Sequence, residues 1–99
     1  MKLQMHSIRF DADQKLLDFI QKKVDKLEKF YDRVIDGEVY LKLENDDING
    51  NKIVEIKLNS PGNQFFVKEQ ARTFEAGTDI AVEALKRQIK KHKEKIYAH

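Results

Sequence analysis

The spacing of apolar residues changes period twice along this chain, and few folds accommodate the order in which it does so. Across residues 14–31 the positions Leu16, Leu17, Ile20, Val24, Leu27 and Tyr31 recur at steps of three and four, which gathers them on one stripe of a helix. From residue 38 to residue 71 the step becomes two. Val39, Leu41 and Leu43 alternate with polar neighbours, then Val54, Ile56 and Leu58, then Phe65, Val67 and Ala71, as in strands with one wet face. The longer step returns with Phe74, Ala81, Leu85, Ile89 and Ile96, predicting a helix over about 74–97, on the order of 36 Å at 1.5 Å per residue. Helix, three one-sided strands, helix is satisfied most simply when both helices cover the one apolar face of a sheet.

Residues 2–10 add a short first strand, so the expected class is α+β with the order β-α-β-β-β-α and two helices on one face of a four-stranded sheet. Asp11 or Asp13 is placed to cap the first helix and Thr73 the second, with Glu75 in the first turn favourable to the dipole. In "NDDINGN" the Asn49-Gly50 pair predicts a type I′ hairpin, because both residues tolerate positive φ. Pro61-Gly62 predicts the next turn. Gly77, inside the second helix, is expected to loosen it by about 0.5–1 kcal/mol. Phe66 falls on the sheet face away from the helices, as a stacking platform or a dimer contact.

With 99 residues the chain is expected to be one domain, 1–99, burying roughly two thirds of its unfolded surface. It has no cysteine, which excludes disulfides and thiolate chemistry and fits a reducing cytoplasm. No leader pattern opens the sequence, and no apolar run approaches the roughly 20 residues that span a bilayer.

The formal charge of +2 conceals a strong asymmetry. Lys86, Arg87, Lys90, Lys91, Lys93 and Lys95 stand against Glu94 alone, so residues 86–99 carry +5 and residues 1–85 carry −3. The acidic stretch holds Asp36, Glu38, Glu44, Asp46 and Asp47. On the first helix Lys15, Lys22, Lys26, Lys29 and Arg33 fall within about 60° of one another, away from the apolar stripe, with Asp18, Asp25 and Asp32 alongside. On the second helix Lys86, Lys90 and Lys93 form one row and Arg87 with Lys91 another. A solvated helix surface is the plain reading of one such stripe. Like charges at i, i+4, however, cost a few tenths of a kcal/mol each with no return in folding, and phosphates are the partner that repays them. A membrane surface would need large apolar residues that the core already uses, and the chain has no tryptophan.

Catalytic and metal chemistry find little. Asn45, Asp47, Asn49 and Gly50 match the opening spacing of a calcium loop, but Ile56 stands where the bidentate carboxylate belongs. His6, His92 and His99 are scattered, Ser7 and Ser60 lack a nucleophile elbow, and no glycine loop cradles phosphate. His92 and Phe74 read as packed helix residues. No enzyme, cofactor or metal is expected.

Residues 73–95, "TFEAGTDIAVEALKRQIKKHKEK", resemble the closing helix of the ribosome hibernation promoting factor and ribosome-associated inhibitor family, through Phe74-Glu75-Ala76, Asp79, Ala81, Leu85, Arg87-Gln88-Ile89, Lys91 and Lys93. The segment from Lys26 to Lys29, the "VYLKLE" and "IVEIKL" strands and the Pro-Gly turn before "QFFV" follow in that family's order. The resemblance implies a domain similar to the double-stranded RNA-binding fold. It also implies binding to the small ribosomal subunit in the channel of messenger and transfer RNA, holding idle ribosomes inactive under stress. Carried over by position, Lys22, Lys26, Lys29, Lys86, Arg87, Lys90 and Lys91 are the expected ribosomal-RNA contacts; charge patterning adds Arg33 and Lys93. The family's long form carries a further C-terminal domain, so this chain resembles the short form. No membrane, small-molecule substrate or DNA partner is expected. Two alternatives stand beside this reading: a generic double-stranded RNA binder, and a protein-interaction module modulating transcription, a sigma-factor modulator.

Overall fold

A computed structural model describes residues 1–45 and 48–97; Asp46, Asp47 and His99, singled out above, lie outside the described residues. The elements are β1 (Lys2–Ser7), α1 (Gln14–Phe30), β2 (Asp36–Leu43), β3 (Lys52–Ser60), β4 (Asn63–Ala71) and α2 (Phe74–Tyr97). The sheet runs in the order β1-β2-β3-β4. Because α1 carries the chain back across the sheet, β1 pairs parallel to β2, with Met5 beside Val39. The remaining neighbours are antiparallel hairpins, with Val39 opposite Ile56 and Ile56 opposite Val67.

The three periods bury most of what they predict. Ile20, Val24 and Leu27 from α1, Val39 and Leu41 from β2, Val54, Ile56 and Leu58 from β3, Phe65 and Val67 from β4, and Phe74, Ala81, Leu85 and Ile89 from α2 form one core. Both helices therefore cover the same sheet face. Asp13 caps α1 through the amide of Lys15, and the Thr73 hydroxyl accepts from the amide of Ala76 at 3.0 Å.

Several details differ from the expectations. The first strand ends at Ser7, and Arg9 turns the chain at φ 66° toward the α1 cap. The β2–β3 hairpin forms, but the pairing closes where Glu44 N–H donates to the Asn51 carbonyl at 2.8 Å, not at a two-residue Asn49-Gly50 turn. Among the described non-glycine residues only Arg9 has positive φ, so Asn49-Gly50 is not type I′. Gly50 itself sits at φ 99°, its Cα against the Ala71 carbonyl, where a Cβ would come within 2.4 Å of the oxygen. Leu43 and Ile96, expected inward, are 50% and 37% exposed because each lies at the end of its element. The polar Thr78 is wholly buried instead, its hydroxyl donating to the Phe74 carbonyl at 2.7 Å. Gly77 is a close approach as well as a loosened position, since a Cβ there would meet Val54 Cγ2 at 2.9 Å.

Candidate nucleic-acid interface

Two contacts set the relation of the helices. Lys23 of α1 pairs with Asp79 of α2 at 3.2 Å, and further along both chains Lys93 Nζ donates to the Phe30 carbonyl at 3.0 Å. The helices therefore run parallel, and their C-terminal halves share one end of the molecule. Unsatisfied carbonyls and the negative ends of both dipoles gather there, an environment that favours cations. Lys29 and Lys95 occupy the last turns.

The acids of α1 are already occupied. The Met1 ammonium donates to Glu28 at 2.6 Å and to Asp25 at 2.9 Å, contacts that hold its pKa above 8.0, Glu28 contributing first. Asp18 accepts from Gln14. Lys22, Lys26 and Lys29 follow at i, i+4, i+7, exposed, on the face that adjoins Phe30. Arg33 is exposed too, but α1 stops at Phe30, so it stands in the following turn and not on the helical stripe as expected. On α2, Lys86, Arg87, Lys90 and Lys91 are exposed while Lys93 is half-buried. Among the described residues none of these nine side chains forms an ion pair; the salt bridges belong to Met1, Lys23 and Lys42.

The two rows on α2 diverge. Lys86, Lys90 and Lys93 turn toward the end of α1, and with Arg87 they surround an open groove of about 620 Å³ whose floor is the Phe30 ring. Glu83 and Glu94 stand at its margins. Lys93 Nζ lies 4.5 Å and Lys86 Nζ 5.5 Å from the ring centroid. Lys91 points to the other flank, sharing a smaller groove of about 300 Å³ with Asn63, Gln64 and His92. There His92 meets Tyr31 and Phe65 edge-on at 5.9 and 5.4 Å, and Gln88 donates to the Phe66 carbonyl on the β4 edge at 2.8 Å. Phe30 had no place among the sequence candidates, and Gln88 stood there only as part of the Arg87-Gln88-Ile89 pattern. Phe30 lies off the α1 core stripe by about 80°, and an aromatic displaced from the stripe into a lysine-rich last turn is the signal that marks it.

The opposite sheet face is partly matched. His6 stacks on Tyr40 at 4.7 Å, Tyr40 donates to Glu38, and Lys42 pairs with Glu55 at 2.5 Å. Phe66 stands there 48% exposed, opposite Lys57. Lys57 and Lys68 on this face also form no ion pair among the described residues, so positive charge is densest on the helical layer but not confined to it. Among the described residues no three His, Asp or Glu side chains converge as a metal-holding group, and no helix is long and apolar enough to cross a membrane.

Residues 3–97 match the family described as sigma 54 modulation protein / S30EA ribosomal protein, and the chain belongs to that family. It is similar to the ribosome hibernation promoting factor of Klebsiella oxytoca, 27% identical over 99 residues and covering 100% of both chains. In fold it is similar to a ribosomal subunit interface protein from Coxiella burnetii, with a TM-score of 0.81 at 19% identity over 94% of this chain and 98% of that one. The N-terminal domain of Thermus thermophilus Protein Y gives 0.80 at 24% identity, covering 93% and 99%.

Proposed function

We propose that this chain is a ribosome-binding hibernation factor that acts in the cytoplasm without catalysis, seating its helical layer on ribosomal RNA of the small subunit and blocking the path of messenger and transfer RNA. The observation that carries it is the exposed set Lys22, Lys26, Lys29, Lys86, Arg87, Lys90 and Lys91 on the helical layer, with Arg33 in the turn after α1 and none of them in an ion pair among the described residues, and with Lys93 at its centre, in a chain that matches a ribosome hibernation promoting factor end to end. Each cation that neutralises a phosphate releases a condensed counterion, so affinity is electrostatic and falls with salt. Choice of site comes from the rigid shape rather than from reading base edges in a duplex.

The generic duplex binder is not favoured. That class carries a Lys-Lys-x-x-Lys cluster at the start of its last helix, whereas the first half of α2 holds Glu75, Asp79 and Glu83 and no lysine or arginine. The experiment is co-sedimentation with purified small subunits, empty or loaded with messenger and transfer RNA. Binding is expected to empty subunits, reduced by loading and by the triple change Lys86→Glu, Lys90→Glu and Lys91→Glu. Unchanged binding by that variant overturns the reading.

A further inference from the structure

Phosphate binding calls for cations and has no use for an aromatic floor, yet the groove at the shared helix ends is built on one. The Phe30 ring is half-buried and packed at the margin of the core, and two ammonium groups sit over it in unlike circumstances. Lys93 is half-buried and tied to the Phe30 carbonyl at 3.0 Å. Lys86 is exposed and has no carboxylate partner among the described residues; its ammonium lies over the ring, 5.5 Å from the centroid. An exposed cation–π contact of this kind stabilises by about 0.5–1 kcal/mol. A base stacked on an aromatic ring contributes about 1–3 kcal/mol, so exchanging one for the other is favourable whenever the released lysine finds a phosphate.

We infer that this groove is a nucleotide-binding site for unpaired RNA, in which an unstacked base takes the place of the Lys86 ammonium over Phe30 while Lys86, Arg87 and Lys90 receive the adjoining phosphate. Lys93 stays fixed and orients the ring. Its volume, about 620 Å³, falls within the roughly 300–1,000 Å³ of small-ligand sites. Glu83 and Glu94 repel phosphate from their side of the groove and offer acceptors to an imino or amino N–H of a base. Bases stacked inside an A-form duplex cannot reach such a floor, so the site selects single-stranded or bulged nucleotides. The inference rests on the RNA-binding reading above and adds to it a contact that salt does not screen.

The test compares wild type, Phe30→Leu and Phe30→Trp for binding to small subunits across a salt series. A titration of the wild-type protein with a six-nucleotide uridine strand or an RNA duplex of equal length is followed by nuclear magnetic resonance. Phe30→Leu is expected to weaken binding by about fivefold or more with the same slope of log affinity against log salt, and Phe30→Trp to retain it. The Phe30 ring and Lys86 side-chain resonances are expected to shift with the single strand and not with the duplex. Wild-type affinity in Phe30→Leu, a shallower salt slope, or equal shifts with both RNAs would overturn the site. Should Phe30→Leu fail to fold, the wild-type titration decides alone. If the Lys86, Lys90 and Lys91 reversal weakens binding while Phe30→Leu does not, only this inference fails. If neither does, the RNA-binding reading fails with it.

Discussion

Lys90 and Lys93 are neighbours on one helix and look interchangeable as sequence, but removing them has different consequences for folding. Lys93→Met keeps most of the aliphatic stem and deletes the ammonium that donates to the Phe30 carbonyl at 3.0 Å and lies 4.5 Å from its ring. A hydrogen bond from a charged donor contributes about 1.5–3 kcal/mol when buried, less at a half-exposed position, and the ring contact adds about 0.5–1 kcal/mol. Relief of repulsion from Lys90 returns about 0.2–0.5 kcal/mol. The net loss is about 1 kcal/mol, or roughly 4–8 °C in Tm for a domain of this size. Lys90→Met removes a charge with no partner among the described residues and is expected to stay within about 0.5 kcal/mol of wild type. Thermal and urea denaturation of both variants at one ionic strength check this. Equal midpoints, or a Lys93→Met protein more stable than wild type, would refute the assignment of Lys93 as the clasp between the helix ends.

Gly77→Ala should destabilise by about 1 kcal/mol in urea, because overpacking against the fully buried, stiff Val54 at 2.9 Å costs about 1–3 kcal/mol against a helix-propensity gain of about 1 kcal/mol. A stabilised variant would show that α2 is free to lift from the sheet. Gly50→Ala combines φ 99° with a Cβ 2.4 Å from the Ala71 carbonyl oxygen and should lower the denaturation midpoint more than Gly77→Ala does, with the loss seen as faster amide exchange at the ends of β3 and β4. Tyr40 should ionise above 10.0, chiefly because its hydroxyl donates to Glu38 and secondarily because of burial. The neutral phenol is the form the fold favours, so that contribution is complete below pH 10.0 and lost as pH rises through the higher folded value. Ultraviolet titration of wild type against Tyr40→Phe reads the midpoint, and Glu38→Gln should bring it down.

What sequence reveals and what it hides divide along physical lines. Ile20, Val24 and Leu27, or Val54, Ile56 and Leu58, announce their burial because period is a property of the chain alone. The concentration of charge was legible for a similar reason: lysines and arginines at i, i+4 that outnumber the neighbouring Glu83 and Glu94 are unfavourable locally, and that excess is written in the sequence. Hidden features depend on distant segments. Lys93 reads like its neighbours until it meets a carbonyl 63 residues earlier. Gly77 reads as a propensity loss until Val54 arrives beneath it, and Asn49-Gly50 reads as a tight turn until Glu44 pairs with Asn51. Phe30 appears off-stripe on a helical wheel, and only the parallel arrangement of the helices turns it into the floor of a groove.

On the proposed function the helical layer, not the outer face of the sheet, meets ribosomal RNA. The chain contains no cysteine, so a single one introduced at a chosen position can carry a tethered source of hydroxyl radicals. Lys90→Cys places it on the exposed surface of α2 and Lys68→Cys on the exposed outer sheet face. With each labelled protein bound to small subunits, strong local cleavage of ribosomal RNA is expected from position 90 and little from position 68. Strong cleavage from position 68 with little from position 90 would contradict the claim.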